Sequence, residues 1–282
     1  MHQAPLISAE KLAAHLREWR VVDCRHSLQD AAMGERAYAQ GHVPGAAFAH
    51  LDRDLSGPPG GQRGRHPLPD PEAFTSTLER LDIDHHTLVV AYDDAGGMFA
   101  ARLWWMLRWF GHDQVVVLDG GWPLWCAGGH PVTGDPFPQS LVTRQVWRRR
   151  DHLVTGTEEV QARLHDPAIC FVDARTADRF RGENEMLDPV GGHIPGALNR
   201  PFRDNLQEDG RFKSPEILRR EFLKLLAGRV PENVVHQCGS GVTACHNLLA
   251  MEWAGLPGGR LYPGSWSAWC ADPHRPVATG SA

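Results

Sequence analysis

N-V-V-H-Q-C-G-S-G-V-T-A-C-H-N-L-L-A, residues Asn233 to Ala250, reads as a buried strand that stops at a cysteine, turns through two glycines and restarts as a helix. Val234 and Val235 supply the β-branched run, and Gly239 and Gly241 let the backbone curl closely around the sulfur of Cys238. Loop amides and the N-terminus of the following helix can then point N–H groups at one place. Such a place favours negative charge and makes Cys238 a nucleophile.

Working outward from this stretch, strands and helices alternate along the whole chain. Ser8 caps the segment A-E-K-L-A-A-H-L, and V-V-D-C-R (Val21 to Arg25) reads as a short buried strand. The residues from Leu51 to Pro69 are so rich in Gly and Pro that they read as a long loop, a feature that is usually functional or disordered. A helix from Pro71 to Leu81, the strand T-L-V-V-A-Y, a helix from about Met98 to Phe110 and the strand V-V-V-L-D follow. This alternation argues for an α/β fold with a parallel sheet and helices on both faces.

The second half repeats the first. Val22-Asp23-Cys24-Arg25 matches Val172-Asp173-Ala174-Arg175 at an offset of 150, and G-H-V-P-G-A (Gly41 to Ala46) matches G-H-I-P-G-A (Gly192 to Ala197) at 151. L-D-G-G-W, ending at Trp122, matches Y-P-G-S-W, ending at Trp266, at 144. Offsets this long and nearly constant mean two duplicated domains rather than a solenoid. The domains are expected at 1–135 and 153–282, with a polar, basic linker at 136–152. Aligning V-V-A-Y-D-D-A-G-G with V-V-H-Q-C-G-S-G-V puts Asp93 opposite Cys238. Only the second copy therefore carries a nucleophilic sulfur, and the first is read as non-catalytic.

Composition narrows the class. Hydrophobic residues at 42% and charged residues at 22% describe an ordinary globular chain, and a net charge of −5 argues against a nucleic-acid partner. Arg148, Arg149 and Arg150 form the one basic run, read as solvated linker. Nothing approaches the ~20 apolar residues of a membrane span, and the N-terminus lacks a signal-peptide layout, so the expectation is a cytoplasmic protein with no membrane partner. The six cysteines are scattered and expected to be free, with all but Cys238 packing in the core. No Cys/His spacing among the 16 histidines resembles a zinc site, and neither metal nor cofactor is expected.

Together, the doubled D-x-R and G-H-[VI]-P-G-A elements, the loop C-G-S-G-V-T-A and the closing L-Y-P-G-S-W-S-A-W resemble the tandem-domain rhodaneses, the thiosulfate and 3-mercaptopyruvate sulfurtransferases. The resemblance covers essentially the whole chain. It implies two rhodanese-like α/β domains related by internal duplication, each a mostly parallel sheet flanked by helices. It also implies transfer of a sulfane sulfur through a Cys238 persulfide to a thiol acceptor, such as thioredoxin or another low-molecular-weight thiol, or to cyanide.

Within that family the loop is similar to the mercaptopyruvate type. The thiosulfate type carries basic residues directly after the cysteine, where Gly239 and Ser240 stand here, so a dianion would be poorly neutralised. By the same resemblance Arg179 binds the donor carboxylate, while Ser240, His66 and Asp52 act together on a proton. Gly239, Gly241, Val242 and Thr243 form the loop that receives the donor. One departure stands out: a second substrate arginine is expected nine positions after Arg179, and Asp188 occupies that place.

Rival readings are weighed on the same residues. Asp54 lies close enough to Asp52 to be the acid meant. Cys245 reads as core packing, with a resolving cysteine for Cys238 as the alternative. His42 and His193 occur in both copies, so they read as turn-stabilising, and Asp23, Arg25, Asp173 and Arg175 read as structural ion pairs. The helix W-W-M-L-R-W reads as packing. A cysteine phosphatase would need an arginine where Ala244 stands and commonly a histidine where Gln237 stands. Thiosulfate:cyanide sulfurtransferase activity and a non-enzymatic sulfur carrier are the alternatives within the family.

Overall fold

The computed structural model describes residues 4–138 and 145–281. Residues 139–144 of the expected linker lie outside them. The chain forms two compact units, one of Met1–Gly57, Leu68–Arg150 and Glu208–Phe212, the other of Pro58–Pro67, Asp151–Gln207 and Lys213–Ala282. Ten residues of the Gly/Pro-rich stretch, including Arg65 and His66, thus belong to the second unit.

In the first unit five strands, β1 (Leu6–Ile7), β2 (Arg20–Asp23), β3 (Ala47–Phe48), β4 (Val89–Tyr92) and β5 (Val115–Leu118), form a sheet in the order β1-β5-β4-β2-β3. In the second, β6 (Cys170–Asp173), β7 (Leu198–Asn199), β8 (Val234–Gln237) and β9 (Arg260–Leu261) form a sheet in the order β7-β6-β8-β9. Every pairing is parallel, and the order β3-β2-β4-β5 recurs as β7-β6-β8-β9. The repeat seen in the motifs is therefore a repeat of topology. All four residues of β4, β5, β6 and β8 are buried, as expected of parallel strands covered on both faces.

Side chains carry the repeat as well. Val21, Val90, Val116 and Trp125 lie in the core of the first unit, and Phe171, Val235, Tyr262 and Trp269 in that of the second. The indole N–H of Trp125 donates to the carbonyl of Pro131 at 2.9 Å, and that of Trp269 to Pro276 at 2.9 Å. His42 and His193 each place Nδ1 2.8 Å from a backbone carbonyl, of Tyr38 and Phe180, and each pairs antiparallel with one further residue. They hold the Gly-His-x-Pro-Gly turns, as their presence in both copies implied.

The D-x-R element is a buried clamp built twice. Arg25 donates through Nη2 to Asp23 at 2.6 Å and to the carbonyl of Gly41 at 2.6 Å, and its guanidinium lies 4.3 Å from the ring centroid of Trp122. Arg175 does the same to Asp173 at 2.6 Å, to the carbonyl of Gly192 at 2.7 Å and over Trp266 at 4.8 Å. Each clamp ties the end of the strand β2 or β6 to the following Gly-His turn. The second ligand of the carboxylate comes from the neighbouring strand: the Tyr92 hydroxyl at 2.7 Å in one unit, the Gln237 amide at 2.6 Å in the other.

Several local expectations hold. Ser8 accepts from the amide of Lys11 at 3.3 Å and starts the helix Ala9–Ala14, and Ala100–Trp109 is helical with Trp104, Trp105 and Trp109 buried. Two need correction. The stretch from Leu51 is not all loop: Leu51–Asp54 is helical, because the ring of His50 accepts the amides of Asp52 and Arg53 and serves as an unusual N-cap, and Gly61–Arg63 form a 3₁₀ turn. Among the cysteines, all six free, Cys126 is exposed rather than packed. Arg148 and Arg149 are exposed as expected, while Arg150 forks onto Asp113 at 2.6 Å. No helix among the described residues is long and apolar enough to cross a membrane.

A buried ion pair that loses one partner leaves a desolvated charge, at a cost of about 3–5 kcal/mol. Arg25→Met is therefore expected to lower unfolding free energy by about that amount, measured by urea denaturation. An unchanged midpoint would remove the clamp from its structural role.

Candidate active site

β8 ends at Gln237, and the chain then turns through Cys238 to Val242 into the helix Thr243–Trp253. Cys238 is 2% exposed. The amide of Gly241 donates to its Sγ at 3.1 Å, a bond that strengthens as the sulfur gains charge. Gly241 has φ +83°, and a Cβ there would stand 2.6 Å from the carbonyl oxygen of Pro263, so no other residue closes the loop this way. Cys245 donates its S–H to Gly241 O at 3.3 Å and is fully buried, consistent with packing.

The loop is fastened from behind by the short helix Ser265–Trp269. Trp266 and Ser267 donate their amides to the carbonyls of Cys238 and Gly239, both at 2.9 Å. The amide of Cys238 donates to Oγ of Ser265 at 3.0 Å. Ser265 has φ +53°, a strained value for a residue with a Cβ. Its counterpart Gly121 has the same φ of +53°. The serine tolerates about 1–2 kcal/mol of strain there and in return anchors the cysteine backbone. Sequence reasoning missed Ser265, although aligning D-G-G-W with P-G-S-W already shows a serine where the first copy has glycine.

In the first unit the equivalent loop holds a carboxylate. Asp93, 1% exposed, accepts the amides of Ala95 and Gly97 on Oδ1 at 2.8 and 2.9 Å, and of Phe99 and Ala100 on Oδ2 at 2.7 and 2.8 Å. Burial pushes the Asp93 carboxyl above its ordinary value while these four amides pull the other way. The loop position that carries Cys238 in the second copy thus holds, in the first, an aspartate engaged by four backbone amides.

Two residues of 58–67 reach the cysteine loop. His66 is buried with Nδ1 2.7 Å from Oγ of Ser240, a pairing expected from the resemblance. The amide of Arg65 donates to Oγ of Ser267 at 3.1 Å, and its guanidinium is ion-paired with Asp188. A Cβ added to Gly239 would stand 2.8 Å from Nη2 of Arg65 and 3.6 and 3.7 Å from the amino nitrogens of Arg179. Gly239 thus leaves room for two guanidiniums beside the nucleophile. Arg179 itself is held by Glu185 at 2.7 Å and by Asp188 at 3.4 Å.

Behind them Arg175 also faces Glu185 at 3.5 Å. Burial opposes its charge, but Asp173, Glu185 and Cys238 outweigh that and raise its pKa. Burial likewise pushes the Glu185 carboxyl up, and the Arg179 bonds with the Leu187 and Asp188 amides more than reverse it. Asp188 is left raised by burial against the pull of Arg65. Arg65 and Asp188 were not foreseen as partners, since 123 positions separate them.

The remaining expected site residues take simple places. Val242, buried, and Thr243 open the helix behind the loop. Asp52 lies in the first unit, in the helix Leu51–Asp54, with Oδ2 4.0 Å from Nε2 of His26. Donor atoms of His26, His50 and Asp52 lie within 4.8 Å of one another. Both ring nitrogens of His50 are already engaged, one by the carbonyl of Ala31 at 2.9 Å and the other as N-cap, whereas Nδ1 of His26 is buried without a hydrogen-bond partner among the described residues.

A model of the rhodanese-like domain matches residues 8–128 and again 156–272. The chain belongs to the rhodanese-like family. Among its rhodanese-like relatives, a probable 3-mercaptopyruvate sulfurtransferase of Pseudomonas aeruginosa is 49% identical, over 99% of this chain and 100% of its own. A putative thiosulfate sulfurtransferase of Mycobacterium tuberculosis is 39% identical, over 98% of both chains. The solved 3-mercaptopyruvate sulfurtransferase of Leishmania major superposes with a TM-score of 0.83 at 33% identity, covering 93% of this chain and 73% of that one. The α/β fold with two rhodanese-like domains is thereby established.

An amide at position 93 would turn an NH₂ group towards donors that now meet oxygen. Asp93→Asn is expected to destabilise the protein by about 1–3 kcal/mol in chemical denaturation. Equal stability would mean that the cradle does not need an anion.

Proposed function

We propose that the chain is a sulfurtransferase that takes the sulfane sulfur of 3-mercaptopyruvate onto Cys238 and passes it on as a persulfide. The Cys238 thiolate attacks the donor sulfur, and the carbon–sulfur bond breaks with its electron pair passing to carbon. The resulting enolate takes a proton and leaves as pyruvate. A thiol, such as thioredoxin or a low-molecular-weight thiol, or cyanide then attacks the outer sulfur and releases Cys238 as thiolate. The amide of Gly241 supports charge on the sulfur at each stage.

The observation that carries the choice of donor is the contact of His66 Nδ1 with Ser240 Oγ at 2.7 Å, two residues from the nucleophile. An enolate leaving group needs a proton; sulfite, the leaving group from thiosulfate, does not. A hydroxyl paired with an imidazole supplies that proton by general acid catalysis. Asp52 joins this relay on the strength of the resemblance. Charge points the same way: Arg175, Arg179 and Arg65 are each already paired with Asp173, Glu185 or Asp188, which leaves more support for a monoanion than for a dianion.

Thiosulfate is the second reading, favoured by the guanidiniums beside Gly239 and by relatives named for that donor. The cytoplasm is the proposed compartment, in keeping with six free cysteines. We keep residues 136–152 as the proposed linker between the domains.

Mass spectrometry after mercaptopyruvate treatment is expected to find one added sulfur, on Cys238; addition elsewhere overturns the persulfide route. Side-by-side kcat/KM values should favour mercaptopyruvate over thiosulfate, and the reverse order selects the second reading. His66→Ala and Asp52→Asn are each expected to lower kcat with mercaptopyruvate by ~10²–10⁴-fold, the range for a lost general acid, and to leave thiosulfate turnover nearly intact. Equal loss with both donors would take the proton relay away from its proposed task.

A further inference from the structure

We infer that Arg65 is the second guanidinium of the donor-carboxylate site, and that Asp188 holds it there; this rests on the proposed carboxylate donor. The family pattern leads one to seek that second cation nine residues after Arg179, where this chain has an aspartate instead. A negative residue at that place looks like a loss of donor affinity. Within the second unit, however, Asp188 is 3% exposed in its side chain and pairs with both Arg65 and Arg179. The carboxylate thus brings a cation in from residues 58–67 rather than facing the donor itself.

The placement of Arg65 is over-determined. Its backbone amide donates to Oγ of Ser267 at 3.1 Å, and the amide of the same serine holds the carbonyl of Gly239 at 2.9 Å. Its neighbour His66 meets Ser240 at 2.7 Å. Two consecutive residues of one segment therefore land on two consecutive residues of the cysteine loop. Nη1 of Arg65 is taken by Asp188, while Nη2 lies 2.8 Å from where a Cβ of Gly239 would be. The amino groups of Arg179 approach the same point at 3.6 and 3.7 Å. Two forks converging on one point beside Cys238 suit a planar carboxylate better than either alone. Partial exposure of both side chains, 31% for Arg65 and 21% for Arg179, leaves the site open to a small anion.

Asp188 is a positioning residue on this account, and Arg65 a binding residue. Removing Arg65 alone would strand a buried carboxylate, so the double variant Arg65→Gln/Asp188→Asn is needed beside Arg65→Gln to separate binding from folding.

The test is pyruvate binding by calorimetry together with steady-state kinetics on mercaptopyruvate, with Arg179→Gln as reference. Both Arg65→Gln and the double variant are expected to raise the pyruvate Kd and the mercaptopyruvate KM by ~10–100-fold, the loss of one charge-assisted hydrogen bond, with kcat little changed. Arg65→Lys should recover part of the affinity, as a point charge without the fork. Asp188→Asn should raise KM by less and leave kcat in place. If Arg179→Gln weakens pyruvate binding while the Arg65 variants bind as the wild type does, the inference falls and the carboxylate reading stands. If wild-type protein binds no pyruvate, both fall together.

Discussion

The ion pair between Asp173 and Arg175 is the interaction on which the second unit's site depends. Asp173 closes β6 and accepts the side chain of Gln237, the last residue before Cys238. Arg175 holds the Gly-His turn at Gly192, stacks over Trp266 and meets Glu185, which in turn grips Arg179. From Arg179 the chain of charges continues through Asp188 to Arg65. One buried guanidinium thus fixes the strand that leads into Cys238 and, by relay, the two arginines beside Gly239. The first unit has the same clamp, with Tyr92 in the place of Gln237 and Trp122 in that of Trp266.

Much of this was legible in the sequence because it depends on residues near one another or on motifs that occur twice. The paired D-x-R elements, the Gly-His-x-Pro-Gly turns and the cysteine loop each announce a local geometry, and duplication shows which parts are structural. Arg65 was not legible: it sits in a Gly/Pro-rich run whose path depends on Ser267 and Asp188, far away in the chain. The helix at Leu51 escaped notice since histidine is a rare cap, and its capping depends on ring orientation. Ser265 was hidden for a different reason, as a residue type that normally avoids the backbone conformation it adopts.

The neutral residues after Cys238 were read as poor support for a dianion, and so as favouring a monoanionic carboxylate donor. Three dimensions add to that reading, since Gly239 is small so that Arg65 and Arg179 can approach. Positive charge borne by residue 239 itself would need a side chain at a buried position where a Cβ would already stand 2.8 Å from Arg65. Borne by arginines already tied to carboxylates, it is directional and nearly balanced, which suits orientation of a small anion more than sheer attraction.

Asp93 gives the duplicated loop of the first unit a meaning beyond inactivity. Its carboxylate is a ligand covalently tethered inside its own binding site, with both oxygens fully engaged by backbone donors. A tethered occupant acts at an effective concentration that no free anion in solution matches. Duplication left the same loop twice, and in the first copy a single aspartate occupies the place that a free anion would need.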